Sequence, residues 1–269
     1  MHARSLSLAR RLLSGSGRAS MLAYDLAPLV EAEALCHGLT RDGEFVVACV
    51  RDDEAPVTTW DGTPLRVRLE LVKEAPEFSV RITAYAVHLL GVLDWLEDDV
   101  RERYVEGAGL PPRLAELASG PAGRLGIVRT DRVLLHDSSG VTPLGFENLV
   151  GNAASRSCGF PGVDAEWAAR ELVGRLSPDE VGTMLDAAAS GWDAALPISE
   201  RKAGGCPHLG NQIFCVDVDS VGLTLMEVES GLTSVTILLF DEPASSAEEL
   251  GDRLDRLIES SSAFSAARR

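Results

Sequence analysis

The sequence is poor in aromatic residues, in basic residues and in long apolar runs, and each shortage excludes a type of core or a class of partner. Phe, Trp and Tyr make up 5% of the 269 residues, so any core must be mainly aliphatic. Lys and Arg number 25 against 41 Asp and Glu, which gives a net charge of −16. Such a surface repels phosphate backbones and anionic lipids, so we expect no nucleic-acid or membrane partner. No apolar run approaches the length of a membrane-spanning helix.

Signatures of common enzyme classes are also missing. The sequence has no nucleophile elbow, phosphate-binding loop, dinucleotide fingerprint or paired-histidine zinc motif. Its five cysteines are irregularly spaced, which favours free thiols and a cytoplasmic location over a disulfide framework. The basic start of the chain, residues 2–18, predicts an amphipathic helix, with a transit peptide as the alternative.

The first half of the chain predicts a β-barrel. Leu65, Val67, Leu69 and Leu71 alternate with polar residues, the pattern of a half-buried strand. Further strands are predicted where apolar or β-branched residues cluster, with only short segments between them. These predicted strands cover 20–24, 29–36, 44–50, 79–93 and 126–136. Helices are predicted over 4–14, 96–106 and 112–117. Many strands with few helices indicate a barrel or a sandwich.

The character of the chain changes near residue 143, and a loop over 151–162 is rich in Gly, Ser, Asn and Pro. We therefore predict a barrel domain with an N-terminal helix over 1–150 and a second, α+β domain over 160–269.

The second domain predicts two helices, three strands and a closing helix. Asp164 is the predicted N-cap of its first helix. Ser177 and Glu180 predict a capping box for the second helix. A loop over 197–210 and three short strands between 213 and 240 precede a last helix over 246–260.

Two segments, 215–223 and 235–243, carry a family resemblance. A strand, a turn of Asp219, two residues and Gly222, and a strand ending in Phe-x-x-Pro precede a final acidic helix. In these features the chain resembles HugZ-type haem-utilisation proteins, in which such a domain follows a split barrel like that of pyridoxamine 5'-phosphate oxidase. The resemblance implies an α+β fold: an FMN-binding-like split β-barrel, a small helix-helix-three-strand-helix domain, and a homodimer.

The resemblance also implies a function. It predicts a protein that handles haem or flavin, an oxidoreductase or haem-utilisation protein whose partner is a small-molecule cofactor or tetrapyrrole. Arg66, Arg68 and Lys73 are the candidate clamp for an FMN phosphate; the alternative is the solvated face of a strand. His88 lies on the long strand, where a flavin or tetrapyrrole would sit in relatives; the alternative is a half-buried structural histidine.

Cys206 and His208, in a Cys-Pro-His sequence, form the candidate metal site. A Cys-Pro pair can present a thiolate to ferric haem, and the histidine adds a second possible ligand. Proline removes one backbone donor from this glycine-flanked loop, which leaves the thiol exposed. An ordinary surface loop is the alternative.

Two departures from the family pattern favour a different function. Arg175 and Glu180 stand where that family often has histidines, and the loop over 51–56 is dominated by acids that would repel a phosphate. The alternative is therefore a non-catalytic dimeric binding or regulatory protein that has lost the cofactor site and binds neither haem nor FMN. The sequence assigns no catalytic residue.

Overall fold

The computed structural model describes residues 2–27, 29, 31–77, 80–151, 160–202 and 210–268. Their contacts divide the chain into two compact units. Unit 1 consists of the described residues of 1–73 and 85–159, and unit 2 of those of 74–84 and 160–269. Unit 2 is thus built from two separate stretches of chain.

Unit 1 contains short helices and most of the strands. Its helices are α1 (His2–Leu13), α2 (Pro56–Thr59), α3 (Asp98–Gly107), α4 (Pro112–Ser119) and α5 (Phe146–Val150). Its strands are β1 (Arg18–Ala23), β2 (Glu31–Leu39), β3 (Phe45–Val50), β4 (Leu65–Glu74), β5 (Thr83–Trp95), β6 (Gly123–Arg129), β7 (Arg132–Asp137) and β8 (Gly140–Gly145). The ends of β4 and β5 extend into the 74–84 stretch of unit 2.

These strands form a closed barrel with an extension. The order is β4-β1-β2-β3-β6-β5, and β5 pairs again with β4, which closes six antiparallel strands. Strands β7 and β8 continue the sheet beyond β5 as a hairpin. The predicted split barrel of the α+β class is confirmed.

The barrel core follows directly from the sequence pattern. Leu65, Val67, Leu69 and Leu71 of β4 are all at most 2% exposed, whereas the intervening Arg66 is exposed, as alternation predicts. The predicted N-terminal amphipathic helix is α1. Its buried residues, Leu8, Ala9, Leu12 and Leu13 among them, face β2, β7 and α5.

The described residues of unit 2 form three helices and a four-stranded antiparallel sheet. The helices are α6 (Val163–Val173), α7 (Pro178–Ala189) and α8 (Ala247–Ala267). The strands are β9 (Ala195–Lys202), β10 (Gln212–Val218), β11 (Gly222–Glu229) and β12 (Leu232–Leu239), in the order β10-β11-β12-β9. Met184, Leu223 and Leu250, each fully buried, lie at the centre of its core.

Two strands were not predicted. The expected three-strand sheet of unit 2 has a fourth strand, β9, which begins two residues before the predicted 197–210 loop and continues into it. It is an edge strand with little burial and contains Pro197, so it shows no alternating pattern. The second, β8, contains Pro143 and also lies at a sheet edge, directly after the turn that pairs Asp137 with Gly140.

Of the two predicted helix caps, one is confirmed. Ser177 and Glu180 form the capping box of α7: the Glu180 amide donates to Ser177 Oγ at 3.2 Å, and the Ser177 amide donates to Glu180 Oε2 at 2.7 Å. Asp164, by contrast, is not an N-cap, because α6 begins at Val163 and its N-cap is Gly162. Asp164 instead lies in the first turn, where its charge favours the helix dipole.

Candidate functional site

Two histidines meet on the surface of unit 1. In the β5–β7 pair, His88 lies opposite Leu134 and Ala86 lies opposite His136, so the histidines are diagonal neighbours on one face. Their ring centroids are 4.5 Å apart at an interplanar angle of 62°. The alternate residues of β5, such as Val87 and Leu89, are buried. We call this face of β4, β5 and β7 the outer face.

The electrostatics of the outer face keep His88 neutral at pH 7. Partial burial lowers its pKa most, and His136 and the guanidinium of Arg68 lower it further, whereas Glu70 opposes them. A neutral imidazole is the form that binds metals. His88 Nε2 lies 3.8 Å from Glu70 Oε1, too far for a hydrogen bond, so this nitrogen is not committed to the carboxylate.

Apolar side chains surround the histidine pair. Leu90 is 64% exposed, Leu134 38% and Val141 58%. Val141 lies opposite His136 in the β7–β8 hairpin, and Leu134 lies opposite Pro143. The outer face therefore combines two imidazoles with an exposed apolar surface, which is the composition of a binding surface rather than of ordinary solvated strands.

The candidate phosphate clamp is not assembled at one place. Arg66 and Arg68 are exposed on β4, but Lys73 has the strand parity of the buried Leu69 and Leu71 and is itself buried. Arg66 donates from Nε and Nη2 to Asp25 Oδ1 at 2.9 and 2.5 Å. This pairing lowers the pKa of Asp25 and raises that of Arg66, so the charge of Arg66 is already compensated.

An FMN phosphate does not fit the acidic loop either. Residues Asp52 and Glu54 line an open cleft of about 700 Å³, together with Glu31 and Glu33. Arg51, the one basic residue among the described residues of that lining, forms an ion pair with Asp61 at 3.2 Å. The cleft therefore repels anions, as the sequence predicted for the loop over 51–56.

The candidate metal site, Cys206 with His208, lies outside the described residues. Among the residues that are described, no group of three or more His, Cys, Asp or Glu side chains is arranged to hold a metal ion. Cys49 is buried, and burial raises its pKa to about 12, so it is not a thiolate ligand. The described part of the chain also has no helix with the length and apolar character needed to cross a membrane.

Sequence reasoning missed half of the histidine pair. It singled out His88 as a candidate but not His136, and it gave Glu70 and Leu134 no role. The signal was available only in part: His136 has the outward parity of β7, but its contact with His88 depends on the register between β5 and β7.

No protein-family model and no curated protein matches the chain. Solved structures do match. One is a haem-binding protein from Mycobacterium smegmatis, 17% identical over 96% of this chain and 97% of that one, with a TM-score of 0.49. Another is Campylobacter jejuni ChuZ, 10% identical over 60% of this chain and 65% of that one, with a TM-score of 0.38.

A third match is a pyridoxinephosphate oxidase family protein from Clostridium acetobutylicum, related to general stress protein 26. It is 11% identical over 55% of this chain and 99% of that one, with a TM-score of 0.37. All three TM-scores are below 0.5, so the fold assignment rests on the strand order itself. Unit 1 is a split β-barrel, and the matched structures include the haem-binding and oxidase-type proteins to which the sequence resemblance pointed.

Proposed function

We propose that unit 1 binds a haem-type tetrapyrrole on its outer face, where His88 would hold the iron. The observation that carries this proposal is the pair of imidazole rings, His88 and His136, at 4.5 Å within an exposed apolar surface. The resemblance to haem-utilisation proteins supports the same ligand class, and the haem-binding protein from M. smegmatis is among the matched structures.

The donor set suits such a ligand. His88 offers a neutral imidazole, Leu90 and Leu134 offer apolar contact for a porphyrin ring, and Arg68 offers a cation for a propionate. A bound haem would supply redox chemistry at its iron. The protein's own residues would hold the ring, exclude water from one of its faces and set the ligand field.

Haem is favoured over FMN because the candidate cations are not placed to bind a phosphate. Arg66 is paired with Asp25, Lys73 is buried on the opposite face, and the loop that would hold a phosphate is acidic. A flavin phosphate carries close to two negative charges and needs several unpaired cations and amides. A haem carries its charge on two flexible propionates, which one arginine and solvent can accommodate.

We also propose that two copies of the chain associate through the outer face with the haem held between them, so that the ring and the partner subunit together cover this face. Its exposed Leu90, Leu134 and Val141 would be covered in a homodimer, as the family resemblance implies. Light scattering on the wild type is expected to give a dimer mass, and Leu90→Glu should shift it towards the monomer. A monomeric wild type would contradict this.

The free thiols of Cys36, Cys49 and Cys215 support a cytoplasmic location.

The first experiment is an absorbance titration of the purified full chain with haemin, followed by a separate titration with FMN. We expect a saturable Soret shift with haemin and no saturable change with FMN. His88→Ala should weaken haemin binding at least tenfold or alter the Soret position. His2→Ala, at the exposed first residue of α1, should leave the affinity and the Soret position unchanged.

Other outcomes would overturn the assignment. A Soret band that survives His88→Ala but is lost in Cys206→Ala or His208→Ala would place the iron ligand in the 206–208 segment. Saturable binding of FMN would contradict the choice of haem. No spectral change with either cofactor would leave the second candidate function, a binding or regulatory protein without a cofactor.

A non-catalytic role is that second candidate. It is favoured by Glu180, which stands where relatives often have a histidine and here forms the α7 capping box with Ser177. To separate the two roles, ascorbate is added to the haemin complex aerobically and the Soret band is followed. A haem-degrading enzyme loses the band, with His88→Ala slower, while a non-catalytic binder keeps it.

A further inference from the structure

We infer that a groove between the end of β3 and helix α4 binds a small organic cation with an apolar body. This inference is independent of the haem proposal, because it concerns other strands and residues. The groove runs from Glu31, Glu33, Asp52 and Glu54 at one end, past Val50, to Leu117 and residues 120–123 at the other, and we call it the β3–α4 groove.

The floor of the β3–α4 groove is apolar and open. Val50, the last residue of β3, is 51% exposed. Its partner in β6 is Gly123, which has no side chain to cover it. Helix α4 turns sharply into β6, since the Gly120 amide donates to Leu117 O at 3.2 Å and the Gly123 amide to Gly120 O at 2.9 Å. This turn leaves Leu117 beside the gap.

Two clefts make up the groove. The apolar one has a volume of about 520 Å³ and is lined mainly by Cys36, Val50, Leu117 and residues 120–123, with Arg113 and Glu116 contributing opposite charges. The other is the acidic cleft of about 700 Å³ already described. Both are lined by Val50 and Leu117, so the two clefts adjoin at these side chains. Their size is that of a site for a small molecule.

The charge of the groove selects the ligand. Glu31, Glu33, Asp52 and Glu54 line one end. Glu31 accepts a hydrogen bond from Ser20 at 2.6 Å, and Asp52 accepts one from the Glu54 amide at 2.9 Å. Within the described ranges none of the four carboxylates has a cationic partner, since Arg51 is paired with Asp61. A ligand complements both ends of the groove if its apolar body contacts Val50 and Leu117 and its ammonium-type cation lies among the carboxylates.

Rhodamine 6G, a cation with a fluorescent xanthene body, is the probe, and its anisotropy is measured on titration with the full chain. Fluorescein, with a similar body and negative charge, is the matched control probe. We expect saturable binding of rhodamine 6G and none of fluorescein. Glu33→Gln/Glu54→Gln should weaken rhodamine 6G about tenfold. Glu248→Gln/Glu259→Gln, which removes the same charge from exposed positions of α8, should not.

Several results would overturn the inference. An absence of rhodamine 6G binding would do so, and so would equal binding of fluorescein. An equal affinity of the two double variants for rhodamine 6G would do so as well, because it would mean attraction to the overall negative charge alone. A fourth is tighter binding of a synthetic Leu/Lys amphipathic helix than of rhodamine 6G, lost in Glu33→Gln/Glu54→Gln, which would assign the groove to a protein partner. Because all four substitutions are at exposed positions, folding of each variant is checked simply by circular dichroism.

Discussion

The guanidinium of Arg124 lies over the indole of Trp95, 4.7 Å from the ring centroid. Its Nη1 also donates to the carbonyls of Thr58 and Trp60, at 3.1 and 2.8 Å, and lies 3.0 Å from Asp61 Oδ1. Trp95 Nε1 in turn donates to Val57 O at 2.9 Å. One buried arginine of β6 therefore fastens α2 and the residues after it to the barrel wall.

Removing that arginine should destabilise unit 1 substantially. Arg124→Met loses the contact with Trp95 and leaves carbonyl groups near Thr58 without a donor, so we expect a loss of about 2–3 kcal/mol in the free energy of unfolding. The control is Arg129→Met, because Arg129 is an exposed arginine of the same strand paired with Asp94. It should cost less than about 1 kcal/mol. Urea denaturation measures both, and equal losses would contradict the role of Arg124.

His37 makes the stability of unit 1 sensitive to acid. It is buried with Nε2 2.7 Å from Leu12 O, and burial lowers its pKa to about 4, although hydrogen bonds with the Leu12 and Ser16 backbone oppose the shift. The unfolded chain has a histidine pKa near 6.5, so between about 6.5 and 4 it binds more protons than the folded chain. The stability contributed by this site is therefore complete above pH 6.5 and falls as the pH drops towards 4.

We expect a loss on the order of 3 kcal/mol from this site across that window. His37→Gln, which keeps a donor for Leu12 O and cannot be protonated, should flatten the dependence of unfolding free energy on pH between 6.5 and 4. His2→Gln, at an exposed position, should leave the dependence as in the wild type. An unchanged slope in His37→Gln would show that other groups titrate in this range.

The turn from α4 into β6 has no room for a side chain at Gly123. A Cβ atom there would lie 2.2 Å from Leu117 O and 2.9 Å from Ala118 O, which are backbone atoms of the helix. Gly123→Ala should therefore cost about 1–3 kcal/mol and displace the end of α4. Gly107→Ala is the control, because a Cβ atom there meets nothing within 4 Å. Thermal unfolding of the two variants should separate clearly; coincident melting curves would contradict the packing described.

Strands with a buried apolar face were predictable, and the two edge strands that contain a proline were not. In β4, hydrophobic residues alternate from Leu65 to Leu71, and burial follows that alternation. Strands β8 and β9 each contain a proline and have few buried residues, because their backbones pair on one side and bury little. Their position depends on a neighbouring strand rather than on their own pattern, so no local signal marks them.

The candidate site shows the same limit. Arg66 and His88 could be picked out as single residues, since each is a polar side chain on an apolar strand. Their partners could not: Asp25 reaches Arg66 across 41 positions of sequence, and His136 reaches His88 through the register of two strands. A sequence pattern gives the face on which a residue lies, and only the pairing of strands determines which charge or ring stands beside it.

The assignment of residues 74–84 to unit 2 has a consequence for the order of folding. These residues leave the barrel at the end of β4 and return to it at the start of β5, and β4 and β5 are the strands whose pairing closes the barrel. During synthesis they emerge well before residues 160–269, the rest of their unit. A nascent chain that closes its barrel first must therefore leave this excursion without its packing partners until residues 160–269 have been synthesised.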